Sequence, residues 1–237
     1  MLLVFVDETT DSKFKDYLGF SIATINNRFY PFLKTESHKI LSGIGWNQEI
    51  EFKGSFLFSQ SKGCSDIEVE KRIDAAHKLL DLNVAKANRR MTFHFGSTTS
   101  KNHAEDYLKL LPELLYKTLP KASKGAGKNL ISIICDDRSD IKNDDLNDYL
   151  IPVILEKNYL LFERIFQCKS TFDTIGLMYA DLVGYLAGRI ETIENDSQLF
   201  EGLAPEQFRR NGKIRKLQSS QELISKIKNL ILYTYEE

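Results

Sequence analysis

The sequence predicts an α/β domain in which helices cover both faces of a mixed β-sheet. The first observation is that extended segments open the chain, where the apolar run Leu2–Val6 is followed by Tyr17–Ile25 and Arg28–Leu33. The second is that helical and extended patterns alternate from there towards the C-terminus. Antiparallel strands followed by alternating helices and strands are expected to form one mixed sheet.

The three opening segments are predicted to be antiparallel strands. Leu2–Val6 has the length and the apolar composition of a buried strand. Tyr17–Ile25 and Arg28–Leu33 flank Asn26-Asn27, a dipeptide typical of a two-residue hairpin. The pattern of Gln48–Phe58 is ambiguous and allows a short extended piece.

The middle of the chain predicts two helices around a strand. Asp66–Arg90 has apolar or small residues at helical spacing, an acid at its start and basic residues in its last turn, where the helix dipole favours them. Met91–Phe95 alternates as a strand does. Asn102–Thr118 places its leucines on one helical face, and the basic, small-residue loop Pro120–Asn129 follows it.

The C-terminal half continues the alternation. Leu130–Cys135 is entirely apolar, which favours a central strand covered on both faces. Asp144–Lys157 is predicted to be a helix that Pro152 breaks or kinks. The remaining predicted elements are a last strand, a helix, a polar loop and a closing amphipathic helix: Leu160–Cys168, Thr174–Glu191, Asn195–Ser220 and Gln221–Tyr235.

This order of elements is close to the plan of the ribonuclease H-like fold, and a doubly wound sheet is its structural competitor. The chain of 237 residues fits a single domain over residues 1–237, with a helical and loop extension over residues 195–237. Hydrophobic residues make up 42% of the chain and charged residues 27%, so a core can form without a metal or disulfide staple.

Charge, cysteine content and hydrophobicity exclude several classes of protein. The net charge of −1 gives no overall attraction to nucleic acid, although it is compatible with a local basic face. The three cysteines have no zinc-ligand spacing, which favours a reduced setting. The apolar start of the chain is too short for a secretory signal, and Thr174–Gly188 is too short for a membrane span. We therefore expect a soluble, cytoplasmic protein with no membrane association.

Two apolar strands of the predicted sheet end in pairs of acids. Asp7 and Glu8 follow the first strand, and Asp136 and Asp137 follow the entirely apolar one. Either pair alone is compatible with solvated turn residues, with a helix cap or, in the second case, with a salt bridge to Arg138. Two such pairs favour a functional interpretation, because carboxylates fixed by a sheet can hold a divalent cation.

Asp181 stands alone in an apolar helical stretch. The residues one helical turn away carry no charge: Leu177, Met178, Gly184 and Tyr185. A helix that is apolar all round is normally buried, and a buried carboxylate is costly unless it is paired or bound to a metal. A buried salt bridge or a cap to a loop is the alternative, but a metal shared with Asp7 and Asp136 satisfies the charge more economically. Small residues spaced by four would let the helix approach a neighbour closely: Gly176, Ala180, Gly184 and Gly188.

Three segments of the chain resemble domain-of-unknown-function family 3800: VDETTD near the start, EFKGS at Glu51–Ser55 and LMYADLVGYLAGR at Leu177–Arg189. That family is similar to ribonuclease H-like nucleases, and it typically has Asp-Glu-Ser-Gly after the first strand and Ile-Gln-x-Ala-Asp on a late helix. This chain departs from it at Thr9 and Thr10, where Ser and Gly are usual, and at Met178, where Gln is usual.

The resemblance implies a metal-dependent nuclease whose acidic site contains Asp7, Glu8 and Asp181, with Asp136 as the acid of a central strand. In such a site two divalent cations about 3.5–4 Å apart bridge carboxylates, activate a water and stabilise the leaving oxygen of a phosphodiester. Mg²⁺ or Mn²⁺ suits an all-oxygen site, and the expected metal ligands are Asp7, Asp136 and Asp181.

Basic residues are candidates for positioning RNA or DNA. Lys53 could neutralise a phosphate or the developing charge, or be a solvated strand lysine, and Glu51 is a weaker candidate for a fourth acid. Phosphate contact or simple solvation would explain the basic residues of the small-residue loop and the C-terminal region: Lys121, Lys124, Lys128, Arg209 and Arg210. A second hypothesis is a ribonuclease H-like module that has lost catalysis and binds protein or nucleic acid.

Overall fold

The computed structural model describes residues 1–10, 15–57, 66–84, 91–123, 129–200, 226 and 231–236. The strands are β1 (Leu2–Thr10), β2 (Tyr17–Asn26), β3 (Met91–Thr99), β4 (Leu130–Asp136), β5 (Leu160–Leu161), β6 (Phe166–Cys168) and β7 (Ile231–Glu236). The helices are α1 (Tyr30–Gly43), α2 (Val69–Val84), α3 (His103–Thr118), α4 (Asn143–Glu156) and α5 (Ile175–Phe200), with a short 3₁₀ helix at Gly54–Leu57.

These strands form one sheet in the order β5-β4-β1-β2-β3-β7, in which β6 also pairs with β4. The pairs β1–β2 and β2–β3 are antiparallel, whereas β4 is parallel to β1 and β5 and β6 are parallel to β4. An antiparallel series β1-β2-β3, with parallel strands added beside β1 through the connecting helices α3 and α4, is the ribonuclease H-like arrangement. The predicted fold class is therefore confirmed.

The two faces of the sheet bury separate hydrophobic cores, because successive side chains of a strand point to opposite faces. In β1, Phe5 lies in the core under α1, α2 and α5, whereas Val4 and Val6 lie in the core under α3 and α4. In β4, Ile133 and Cys135 lie in the second core and Ile134 borders the first. Both strands are central, as the apolar run in β4 predicted.

The predicted strand Arg28–Leu33 is wrong, since α1 begins at Tyr30. The chain leaves β2 through a turn in which the oxygens of Asn26 accept hydrogen bonds from the backbone N–H groups of Arg28 and Phe29, at 3.1 Å and 2.9 Å. Pro31 then lies in the first turn of α1, where its fixed φ and missing N–H are tolerated. The third antiparallel strand is instead β3.

Other boundaries also differ from the predictions. No strand forms in the described part of Gln48–Phe58, and the helix predicted from Asp66 begins at Val69. Pro152 does not end α4, because the residues on either side of it, Leu150 and Ile154, are buried in the core and hold the helix in place.

In the C-terminal third, Leu160–Cys168 forms two short strands rather than one. The helix α5 continues to Phe200, so the predicted loop Asn195–Ser220 is helical at its start. The helix predicted over Gln221–Tyr235 is wrong for residues 231–235, which belong to β7. The sequence ILYTYE is rich in β-branched and aromatic residues, and pairing with β3 draws it into the sheet. No helix within the described ranges is long and apolar enough to cross a membrane.

Candidate active site

Asp7 and Asp136 lie side by side on two central parallel strands. Asp136 is the last residue of β4, but Asp7 lies within β1, because that strand continues past its predicted end at Val6 to Thr10. The register pairs Val6 with Cys135, so Asp7 in β1 and Asp136 in β4 are the next residues of the two strands. Alternation along each strand places both carboxylates on the face covered by α5. Only 4% of Asp7 and 6% of Asp136 is exposed, so the sheet fixes two buried acids at one point.

The third acid, Asp181, comes from α5, which lies directly on β1 and β2. A Cβ at Gly184 would be 2.9 Å from the Cβ of Ser21, and one at Gly176 would overlap the ring of Phe5. The predicted role of the small-residue stripe is confirmed, because only glycine allows this approach. It brings Asp181, which is 7% exposed, towards the acids of β1 and β4. We call Asp7, Asp136 and Asp181 the acidic cluster.

Asp181 is held by a backbone group as well as by the helix. The N–H of Gly54 donates a 2.7 Å hydrogen bond to Oδ1 of Asp181. A Cβ on Gly54 would be 2.7 Å from the Cβ of Tyr185 and 3.0 Å from Asp181 Oδ1, so this contact also requires glycine. The first turn of the 3₁₀ helix therefore sets the orientation of the carboxylate, as the alternative interpretation of Asp181 as a cap to a loop predicted.

Lys53, the residue before Gly54, places its amine among the acids. Its Nζ lies 2.8 Å from Glu51 Oε1 and 3.2 Å from Asp136 Oδ2. A third carboxylate oxygen, Asp181 Oδ2, lies 3.9 Å from it. The lysine and Glu51 are therefore part of the site.

Burial and nearby negative charges make Asp7 and Asp181 hard to ionise. Burial, together with the nearby charges of Asp181, Glu8 and Asp136, raises the pKa of Asp7 well above its usual value. Burial likewise raises the pKa of Asp181 to about 7, although Lys53 and the Gly54 N–H favour the charged form. Burial opposes the charge of Lys53 too, but the hydrogen bond to Glu51 and the three surrounding aspartates outweigh it and raise the pKa of Lys53.

Glu8 is separated from Asp7 by the pleat of β1, which turns it towards the opposite face of the sheet. Its Oε1 lies 3.2 Å from Nη1 of Arg138, whose guanidinium is 4.8 Å from the ring centre of Tyr107 in the core under α3. Asp140 pairs with the same guanidinium at 2.7 Å. Burial raises the pKa of Glu8 to about 7, although Arg138 favours its ionised form.

Only one of the predicted phosphate-binding residues, Lys121, belongs to the described ranges. Lys121 is exposed in the loop after α3. The other candidates lie outside the described residues: Lys124, Lys128, Arg209 and Arg210. Met178 lies in the apolar core.

The donor atoms of the acidic cluster fit a hard divalent cation. Among the described residues, no group of three or more His, Cys, Asp or Glu side chains has, as it stands, the arrangement of a metal site. The Lys53 amine lies where the acids converge. Two buried oxygens, Asp136 Oδ1 and Asp181 Oδ2, nevertheless have no hydrogen-bond partner in the described part of the chain. Buried carboxylate oxygens without donors are the ligands that Mg²⁺ and Mn²⁺ take.

Comparison with known proteins adds distant structural neighbours only. No family model matches the chain, and no curated protein matches its sequence. The chain is similar to the structure of the PCNA:RNase HII complex from Archaeoglobus fulgidus, with 9% identity over 92% of this chain and 90% of that one and a TM-score of 0.47. It is also similar to ribonuclease H2 from Pyrococcus horikoshii OT3, with 12% identity over 96% of this chain and 99% of that one and a TM-score of 0.44.

Proposed function

We propose that this protein is a divalent-metal-dependent nuclease that hydrolyses phosphodiesters of RNA or DNA. The observation that carries the proposal is the convergence of three buried carboxylates from β1, β4 and α5, two of which present oxygens without a hydrogen-bond partner. Such groups destabilise a fold unless a ligand compensates them, and strongly raised pKa values at a shared point mark candidate functional sites. The resemblance to domain-of-unknown-function family 3800 agrees with this chemistry.

Each residue of the candidate site would have its own role in this reaction. Asp7, Asp136 and Asp181 would hold Mg²⁺ or Mn²⁺, and the Gly54 N–H would keep Oδ2 of Asp181 turned towards it. The bound ion would activate a water and stabilise the leaving oxygen of the phosphodiester. Lys53, whose side chain is 35% exposed, can contact a phosphate oxygen from the solvent side of the cluster. The predicted basic residues would bind the phosphate backbone without reading its sequence.

A cleavage assay tests the proposal. Wild type would be incubated with single-stranded RNA, single-stranded DNA, duplex DNA and an RNA–DNA hybrid, each with Mg²⁺, with Mn²⁺ or with a chelator. Asp181→Asn keeps an acceptor for the Gly54 N–H but removes the charge that binds the ion. Asp137→Asn is the matched control, because it removes the same charge from an exposed residue next to Asp136.

We expect metal-dependent cleavage of at least one substrate, unchanged in Asp137→Asn and reduced by at least about a hundredfold in Asp181→Asn. Cleavage by Asp181→Asn at the wild-type rate would refute the proposed role of Asp181.

A catalytically inactive binding module is the second candidate function. The position of the Lys53 amine favours it, because the lysine already compensates part of the acidic charge. Nucleic-acid binding that is unchanged by chelator, with no cleavage and no Mn²⁺ binding, would support this alternative over a nuclease.

A further inference from the structure

The carboxylate oxygens around Lys53 fall into two groups according to their partners. Glu51 Oε1 and Asp136 Oδ2 are occupied by the Lys53 amine, at 2.8 Å and 3.2 Å. The second group consists of Asp136 Oδ1 and Asp181 Oδ2, which are buried without a hydrogen-bond partner, and of the carboxylate of Asp7. Asp181 Oδ2 lies 3.9 Å from the amine, which is beyond hydrogen-bond distance. Asp136 thus contributes one oxygen to each group. The site has two positions for positive charge, and the amine already takes one of them.

The segment that carries Lys53 is anchored on both sides of it. Phe52 is buried, with 1% of it exposed, and its N–H donates to the backbone oxygen of Ser170 at 2.8 Å. On the other side, the N–H of Gly54 is bound to Asp181. The backbone on either side of Lys53 is therefore tied to the body of the protein, and one of these ties is to the acidic cluster itself. The anchored backbone keeps Lys53 beside the acids, and the contacts with Glu51 and Asp136 hold its amine there.

We propose that the Lys53 ammonium permanently replaces one of the two cations of a two-ion centre, so that the site binds a single divalent ion. That ion would be held by the second group of oxygens, from Asp7, Asp136 and Asp181. The inference rests on the proposed metal-dependent function and deepens it. It differs from the pair of bridged ions that the sequence led us to expect.

Repulsion between the Lys53 ammonium group and a second ion favours one ion. When ionised around a metal, the acidic cluster and Glu51 carry four negative charges, and Lys53 reduces the total to −3. One divalent ion brings this to −1, whereas a second would bring it to +1 and would have to share Asp136 with the ammonium group. Without the lysine, two divalent ions would neutralise the four acids. Repulsion between close charges in a buried site is weakly screened, so the lysine disfavours the second ion strongly.

Counting Mn²⁺ ions tests this inference without any measurement of activity. Calorimetric titration and electron paramagnetic resonance of free Mn²⁺ would give the number of ions bound by wild type and by three variants. Lys53→Met removes the ammonium group but keeps much of the side-chain volume, and Lys53→Arg keeps the charge. Lys34→Met is the matched control, because Lys34 has a side-chain exposure of 34%, against 35% for Lys53, and is also ion-paired, 3.4 Å from Asp173.

We expect one Mn²⁺ per chain for wild type, Lys53→Arg and Lys34→Met. Lys53→Met should bind two, with the first ion bound at least about tenfold more tightly than in wild type. Two ions of similar affinity in wild type would overturn the inference while leaving the metal centre intact, and so would a folded Lys53→Met that binds only one. No Mn²⁺ binding by any of the four proteins would instead refute the proposed metal centre. If Lys53→Met does not fold, the count for wild type still decides between one ion and two.

Discussion

Replacing Asp181 by Asn should make the metal-free protein more stable, and the effect should depend on pH. The side chain is almost fully buried, and burial raises its pKa from the ordinary 3.8 to about 7 in spite of the nearby Lys53. A carboxyl group with a raised pKa stabilises the folded state only while it is protonated. That contribution is complete below pH 3.8 and is lost as the pH rises through about 7. Asn stays neutral at every pH, so it avoids the loss.

The size of the effect follows from the two pKa values. Each tenfold change in an ionisation constant corresponds to about 1.4 kcal/mol, so moving a pKa from 3.8 to about 7 costs the wild type about 4 kcal/mol above pH 7. The attraction to Lys53 is already contained in the pKa of about 7. Asn keeps the acceptor for Gly54, but its NH₂ group replaces Oδ2 beside the Lys53 amine, and these two donors reduce the expected gain to roughly 2–4 kcal/mol. For a chain of 237 residues this is a rise in Tm of roughly 4–16 °C.

Thermal and denaturant unfolding of both proteins between pH 4 and pH 8, with chelator present, would measure this difference. The two curves should meet near pH 4 and separate up to about pH 7. Mn²⁺ at a thousand times its Kd should reverse the order, because a ligand at that concentration adds about 4.1 kcal/mol to the protein that binds it. An Asp181→Asn protein that is less stable than wild type at pH 8 without metal would refute the reasoning, since Asp181 would then be a stabilising partner of Lys53.

Two further predictions concern packing and the two faces of β1. Gly176→Ala should lower the free energy of unfolding by roughly 1–3 kcal/mol in denaturant, because the added Cβ would overlap the buried Phe5 ring. Gly43→Ala is the control, because a Cβ at Gly43 would meet nothing within 4 Å. It should change the free energy of unfolding by less than about 1 kcal/mol. A similar loss in both variants would contradict the close-packing argument. Glu8→Gln should reduce cleavage far less than Asp7→Asn, because Glu8 faces Arg138 on the other side of the sheet; equal losses in both variants would show that Glu8 belongs to the site.

The sequence predicted the centre of the fold well because its signals are local. The apolar runs of β1 and β4 indicate strands covered on both faces, and Asn102, which accepts from the N–H of Glu105, is a capping residue at the start of α3. Pro31 is a local signal that the predicted strand Arg28–Leu33 did not take into account, since proline suits the first turn of a helix. The identity of β7 could not be predicted, because it depends on pairing with β3, far away in the sequence.

The individual acids of the candidate site could be predicted from the sequence, but their spatial arrangement could not. An isolated charge in an apolar helix and acids at two strand ends drew attention to Asp181, Asp7 and Asp136. The separation of Glu8 from Asp7 could also have been inferred, because alternating side chains of a strand cannot share a face. The contacts of Lys53 with acids on different elements could not, since they depend on how a long connection between β2 and β3 folds over the sheet.

Stability alone does not explain the acidic cluster. Apolar residues of similar size would fit among the cores of the two faces, and replacing buried charged groups in this way is often neutral or stabilising. Instead, three elements converge to bury carboxylates that a single lysine compensates only in part. The same elements hold the acids firmly, through a strand register, a glycine stripe and a backbone hydrogen bond. A cation site requires buried carboxylates that are held rigidly in place. These carboxylates destabilise the metal-free protein, and the bound ion stabilises the fold again because it binds only the folded state.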